Sequence, residues 1–284
     1  MTNNDPTRQD LYTTRKLVDG YPDMEQLGVD YFQREQSTAT SALRTVQRAA
    51  RLIDLAGVAP IVVVGCGPKP ESVRALLDAG FNAVGVEPVA GFVATARDYL
   101  GAAERVMAGA AERLPFAGGT QRLVVMESVL EHVDSPEQSL AEAYRVLAPG
   151  GVLYVSTTNR WRFSPTGGNG EFRVPFYNWF PALVQESYVF RHLHYEPRLA
   201  NFTPRPAVHW FSYSDLCRLG RRVGFAHFYS FLDLIDERRD TSMAGSRLKR
   251  FIVRNAREHP WFRALLLTQA GNAIYMWKRK EPGL

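Results

Sequence analysis

The chain has 284 residues, 45% of them in the AVILMFWYC set and 22% charged, which excludes a disordered chain and leaves room for one sizeable α/β domain with additions or two small ones. A net charge of +5 permits an anionic substrate, nucleic acid or a membrane surface and singles out none of them. The polar start of the chain shows no apolar leader, no apolar run reaches the length of a membrane span, and Cys66 and Cys217 are too far apart in sequence to suggest a disulfide framework, so a cytoplasmic protein with no membrane span is expected.

Residues 1–24 are polar, punctuated by Gly20 and Pro22, and read as a loose arm. Within 25–56, Leu43, Val46, Ala49, Ala50, Leu52, Ile53, Leu55 and Ala56 recur near the 3.6-residue period and predict a helix ahead of the first strand. That strand is Ile61–Val64, four apolar and mostly β-branched residues running straight into Gly65-Cys66-Gly67. Such a run is a buried strand ending in a turn where the backbone approaches something closely. A helix over 71–79, apolar at Val73, Leu76 and Leu77, stops at Gly80. The next strand, 82–86, ends at the acidic Glu87, twenty positions after Gly67. A helix over 91–100 and a short strand over 105–107 follow, then a strand at Leu123–Met126. Ser135, Pro136 and Gln138 fit the N-cap, first and third positions of a capped helix. Its apolar face is Leu140, Ala143, Tyr144 and Leu147, and Pro149-Gly150-Gly151 stops it before a strand at 152–156.

Strands alternating with helices over 60–157 predict a parallel sheet with helices on both faces. The pattern breaks after Thr157. Residues 159–211 are rich in aromatics, Pro, Gly and Arg, without a clean period, and a connection this long is more often functional than filler. A helix at 214–223 closed by Gly224, a strand at 226–232, a helix at 247–257 and a last strand at Ala273–Trp277 complete the pass. Four units are expected: an N-terminal arm and helix (1–57), a nucleotide-binding core (58–158), a lid or acceptor-recognition insertion (159–211) and a C-terminal completion of the sheet (212–284).

Strand, glycine turn, helix, strand and acid make one nucleotide-binding βαβ unit, with Glu87 placed to accept hydrogen bonds from ribose hydroxyls. A dinucleotide fingerprint wants a third glycine three residues after Gly67, where this chain has Pro70; Pro68 and Pro70 together remove two amide donors. A turn short of donors is a poor pyrophosphate cradle. It disfavours a dehydrogenase and suits an adenosine cofactor without phosphate, such as S-adenosylmethionine.

Four ordered pieces, Val-Val-Gly-Cys-Gly-Pro at 63–68, Gly-Val-Glu-Pro at 85–88, Ala-Glu-Arg-Leu-Pro-Phe at 111–116 and Ser-Val-Leu-Glu-His-Val at 128–133, followed by the helix and strand of 142–153, resemble the class I S-adenosylmethionine-dependent methyltransferases. The resemblance is to the small-molecule branch with ubiquinone-biosynthesis-like and sugar O-methyltransferases, over roughly residues 58–158. It implies a Rossmann-like, seven-stranded, mostly parallel sheet with helices on both faces, with Ala273–Trp277 as the antiparallel strand. It implies a cofactor set of Gly65, Cys66, Gly67, Glu87, Pro88, Ala111, Glu112, Glu127 and Ser128. Gly65 and Gly67 would admit the backbone to the methionine moiety and ribose, Ala111 and Glu112 would flank the adenine, and Glu127 and Ser128 would border the methionine end. Val63, where the family often has an acid, and Lys69, where it often has a glycine, leave the anchor of the cofactor's amino group unassigned.

The resemblance also implies the chemistry. His132 is the candidate general base for an acceptor hydroxyl, since imidazole titrates near neutral pH; the same histidine suits a helix-packing role. Acceptor recognition is expected from 159–211, with Asn159, Trp161, Tyr177, Trp179, His194 and Trp210 as candidates, because aromatic faces stack on sugar or polyketide rings and arginines grip carboxylates or phosphates. His192 and His194 raise magnesium, as some sugar methyltransferases use it, though that ion prefers oxygen donors. The expected reaction is O-methylation of a small molecule, a sugar, oligosaccharide or glycolipid precursor leading, with S-adenosylhomocysteine as product. N- or C-methylation of a small metabolite and a non-catalytic cofactor-binding module are the alternatives. Nucleic acid is disfavoured as a partner because Glu127-Ser128-Val129-Leu130 stands where base methyltransferases place an Asn/Asp-Pro-Pro-aromatic run. A homodimer joined through the aromatic segment is a further expectation.

Overall fold

The structure, a computed structural model, describes residues 39–55, 60–163, 165, 174–181, 183–184, 207, 209–236, 246–269 and 272–279. Strand β1 (Ile61–Val64) is buried along its whole length, and its side chains divide between two cores. Val62 and Val64 enter one, Ile61 and Val63 the other, as the two-residue period of a strand requires. The neighbours repeat the division. Val84 and Val86 of β2 (Ala83–Glu87), Val124 and Met126 of β4 (Gln121–Glu127) and Leu153 and Val155 of β5 (Leu147–Thr157) line the first core. Ala83, Leu123, Val125, Val152 and Tyr154 line the second.

Each core needs a helical lid. Helices α1 (Ala39–Ala49), α2 (Glu71–Asp78) and α3 (Ala90–Leu100) cover the second core through Ala42, Val46, Val73, Leu76, Val93 and Ala96. Helix α4 (Pro136–Val146) and helix α5 (Tyr213–Val223) cover the first through Leu140, Ala143, Leu216 and Cys217. The Ser135 hydroxyl accepts from the Gln138 amide at 3.2 Å and Pro136 opens α4, as the capping pattern predicts. A fully buried Leu such as Leu123 or Leu153 is worth about 2–5 kcal/mol against truncation to Ala.

Short β3 (Val106–Ala108), β6 (His227–Ser230) and β7 (Asn272–Trp277) complete a seven-stranded sheet of order β3-β2-β1-β4-β5-β7-β6. Strands β1 to β5 pair in parallel, and β7 runs antiparallel between β5 and β6. The Rossmann-like α/β architecture is thus present, with helices on both faces. Residues 1–38 of the expected arm and most of the expected 159–211 insertion lie outside the described residues.

Three local readings change. Strand β5 begins at Leu147, so Pro149-Gly150-Gly151 forms an irregularity inside the strand rather than a turn before it; the register with β4 shifts between Gln121 and Leu123 to absorb it. The strand expected at 226–232 stops at Ser230, because Ser230 and Asp233 form a capping box that starts the short helix α6 (Phe231–Leu234). The helix expected at 247–257 is the first of two, α7 (Arg247–Glu258) and α8 (Pro260–Gln269), separated by His259.

Candidate active site

Going outward from β1, one path runs through β2 to β3 and the other through β4 to β5, so the strand order reverses between β1 and β4. Helices on opposite faces leave a crevice outside the carboxyl ends of the strands at such a point. The cleft there spans about 680 Å³, part of it open to solvent, and is walled by the ends of four strands: Val64, Gly65 and Gly67 after β1; Glu87, Pro88 and Val89 after β2, with Phe92; Ala110, Ala111 and Glu112 after β3; Ser128, Val129, His132 and Val133 after β4. Its size is that of a small-molecule or cofactor site.

The glycine turn has a steric reason. Gly65 and Gly67 have φ of 65° and 68°, left-handed values that glycine adopts without strain. A Cβ on Gly65 would stand 2.8 Å from Val129 Cγ2, so a side chain there would collide with the opposite wall. Glu87 is 4% exposed, and its carboxylate accepts from the Gly67 amide at 3.0 Å and the Val89 amide at 3.1 Å. Burial pushes its pKa up to about 6, and these two amide hydrogen bonds hold it back from going higher. The carboxylate ties the β1 turn to the β2 turn before any ligand arrives.

Across the cleft, Ser128 closes β4 with φ of 52°, an unusual value for a serine, while its amide donates to the Ser156 carbonyl at 2.8 Å. Backbone held in such a region clusters at functional sites. The chain then turns, the His132 amide donating to Val129 O at 2.9 Å, and places the half-buried His132 on the cleft wall. Glu112, opposite, accepts from the Asp134 amide through one oxygen at 2.7 Å, joining the β3 and β4 loops.

Of the cofactor candidates, Gly65, Gly67, Glu87, Pro88, Ala111, Glu112 and Ser128 come together around one cleft, and His132 joins them. Cys66 and Glu127 are not among its lining. The Cys66 thiol lies over β2, where a Cβ on Gly85 would meet Sγ at 2.6 Å, and burial pushes its pKa up. The Glu127 carboxylate turns instead to α1, where Oε1 accepts from Ser41 Oγ at 2.9 Å, and burial raises its pKa. The apolar wall of Val64, Val89, Phe92, Val129 and Val133 was not foreseen, since such residues look like core in a sequence.

Among the described residues, the acceptor candidates Asn159, Trp161, Tyr177, Trp179 and Trp210 are not part of the cleft's lining. Asn159 is 1% exposed, and its polar groups are filled within the protein: Nδ2 donates to Asn272 Oδ1 at 2.8 Å and to Leu267 O at 3.1 Å, and Oδ1 accepts from the Trp161 amide. Tyr177 is fully buried and packs against Trp210, ring centres 5.3 Å apart, in a small core with Ala207. Trp161 and Trp179 are exposed. His194, with His192, lies outside the described residues. Among the described residues no group of three or more His, Cys, Asp or Glu is arranged to hold a metal ion.

The residues present fit an adenosine cofactor without phosphate. Bare glycine backbone meets the opposite wall, a buried carboxylate stands ready for hydroxyl donors, and the turn after Gly67 carries prolines where a pyrophosphate would need amides. Residues 62–155 match the family described as "Methyltransferase domain". A Mycolicibacterium smegmatis protein named for S-adenosylmethionine-dependent methyltransferase activity is 46% identical over 52 residues, 18% of this chain and 20% of that protein. A ubiquinone biosynthesis O-methyltransferase of Rhizobium rhizogenes is 33% identical over 103 residues, 35% of this chain and 41% of that one. The chain thus spans between a fifth and about two-fifths of the curated relatives it matches. A solved structure from Galdieria sulphuraria, described under sarcosine dimethylglycine methyltransferase, shares the fold at a TM-score of 0.53 with 11% identity, covering 90% of this chain and 97% of its own. The domain match shows that residues 62–155, the central strands that wall the cleft, carry a methyltransferase domain similar to S-adenosylmethionine-dependent enzymes.

Proposed function

We propose that the protein is a cytoplasmic O-methyltransferase that moves a methyl group from S-adenosylmethionine to a hydroxyl of a small molecule, with a sugar, oligosaccharide or glycolipid precursor as the leading acceptor class. The observation that carries the reading is His132 on the cleft wall after β4, in the same cavity as Glu87. S-adenosylmethionine supplies, when bound, an electrophilic methyl group on a sulfonium. Glu87 accepts from ribose hydroxyls, its orientation already fixed by the Gly67 and Val89 amides. Gly65 and Gly67 give the bound molecule close access to backbone, and Phe92, Val129 and Val133 keep water out. His132 takes the proton of the acceptor hydroxyl as its oxygen attacks, a contribution worth about 10²–10⁴ in rate. The sugar preference is supported by the aromatic and arginine content of 159–211.

Methyl-labelled S-adenosylmethionine with fractionated extracts tests the reading. Label entering a carbohydrate or glycolipid fraction, and lost in His132→Ala while S-adenosylhomocysteine still binds, supports it. Label that persists in His132→Ala points to an amine or carbon acceptor, and label in RNA or protein overturns the small-molecule class.

A further inference from the structure

Between β6 and β7 the chain leaves the sheet as α6, α7 and α8. Strand β6 runs in the same direction as β5, and β7 starts at Asn272 beside Thr157, so the excursion returns to the sheet at its carboxyl end, the end that carries the cleft. The three helices are firmly seated. Val253, Ala256 and Leu267 share a buried core with Leu232 and Ile235. Arg263 grips Asp233 through both guanidinium nitrogens, at 2.7 and 2.6 Å, and Arg257 donates to the Leu232 and Ile235 carbonyls.

The outward faces of α7 and α8 carry large apolar side chains. Leu248 and Phe251 on α7 are 67% and 64% exposed, and Trp261 and Leu265 on α8 are 70% and 52% exposed. Each pair is spaced three or four residues apart and therefore shares a helix face. Val253, Ala256 and Leu267 fill the faces turned inward, so these large apolar side chains are not required by the core. Basic residues flank the pair on α7. Arg247, Lys249 and Arg254 are exposed and Arg250 is half-buried, against the single acid Glu258 on α7. Arg247, Phe251 and Arg254 are four and three residues apart on one stripe.

We propose that the α7–α8 hairpin is a peripheral docking surface for anionic lipid, seating Phe251, Leu248, Trp261 and Leu265 at the acyl boundary and its arginines among the headgroups. Two physical observations select this occupant. The apolar residues are a mixture of aliphatic side chains and a tryptophan with an arginine-rich flank, the composition of helices that lie in a bilayer interface. The charge on α7 is mostly of one sign, which opposes pairing with a second copy of that helix face and favours a negatively charged surface. The helices do not span: no described helix is long and apolar enough to cross a membrane. Docking here would hold the cleft end of the sheet close to the lipid surface.

The test is sedimentation of the full chain with vesicles of phosphatidylcholine alone and with 30% phosphatidylglycerol, at about 0.05 and 0.5 M NaCl, with Trp fluorescence as a second readout. The expected result is binding to the anionic vesicles, with a blue shift, that weakens about fivefold for each of Arg247 and Arg254 changed to Glu plus the loss from the added charge, and weakens strongly in high salt. Phe251→Ser with Trp261→Ser removes the binding and the shift, while S-adenosylhomocysteine affinity and circular dichroism stay unchanged. Absence of binding to anionic vesicles overturns the proposal, as does binding that is equal in the Ser variant. A wild-type dimer in sedimentation velocity that becomes monomeric in the Ser variant also overturns it, and assigns the face to a second copy.

Discussion

Glu87 offers the sharpest test of the cleft. Its pKa stands near 6, against 4.5 for an ordinary glutamate, because burial disfavours the charge. The empty folded protein therefore holds this proton more tightly than the unfolded chain does. The stability tied to it is complete below about pH 4.5 and is lost as pH rises through about 6, a difference of about 2 kcal/mol between acidic and neutral solution. Cofactor binding runs the other way. In the proposed complex ribose hydroxyls donate to the ionised carboxylate, so binding would select the charged form. At pH 5 about a tenth of empty sites carry that form, and the Kd for S-adenosylhomocysteine should be about tenfold weaker than at pH 7, falling further below that. In Glu87→Gln the dependence on this group vanishes, and affinity at pH 7.5 drops by about 10–150-fold, the worth of about 1.5–3 kcal/mol for hydrogen bonds to a charged partner. Titration calorimetry between pH 5 and 8 reads both quantities. A Glu87→Gln protein that binds like wild type, or that keeps the full pH slope, would refute the argument.

Two further substitutions test the packing around the site. Gly85→Ala places a methyl 2.6 Å from Cys66 Sγ and should lower stability by about 1–3 kcal/mol, read as several degrees in Tm; adding Cys66→Ala should recover most of that loss, and a double variant as unstable as the single one would show that the sulfur is not the obstacle. Asn159→Ala strands Asn272 Oδ1, Leu267 O and the Trp161 amide, and should remove about 3 kcal/mol of stability with S-adenosylhomocysteine affinity unchanged within about twofold; a protein of unchanged Tm and lost turnover would instead put Asn159 at the acceptor.

The glycine-turn side of the cleft was legible because its residues are dictated by local rules. A β-branched run ending in glycines, and an acid ending the next strand, are written within 27 consecutive residues, 61–87. Even there, spacing gave the position of a residue but not the direction of its side chain. Cys66 and Glu127 flank cleft residues in sequence and face away from them, the thiol toward Gly85 and the carboxylate toward Ser41 on a helix 86 residues earlier. The surroundings of the acceptor candidates were not legible, for a different reason. Asn159, Asn178 and Asn272 form one buried network, with Asn178 Nδ2 donating to Asn159 O at 3.0 Å and Asn272 Nδ2 to Phe211 O at 2.6 Å. Nothing in a sequence without pairing information says that residues more than a hundred positions apart will satisfy one another, so the internal bonds of an asparagine after a strand stay hidden.

The position of β7 sets an order on how this molecule can be made. It is the last strand among the described residues yet sits inside the sheet, hydrogen-bonded to β5 on one side and β6 on the other. A chain emerging amino end first can pair β1 to β5 as they appear, but the outer edge of β5 stays bare, and β6 has no neighbour, until residue 277 is available. The Asn159 joint waits as well, since its partner Asn272 opens that same strand. The nascent protein therefore carries an open, strongly apolar strand edge through the synthesis of some 120 residues, 158–277, and that interval, rather than the finished fold, is when it is most exposed to aggregation and most in need of a chaperone.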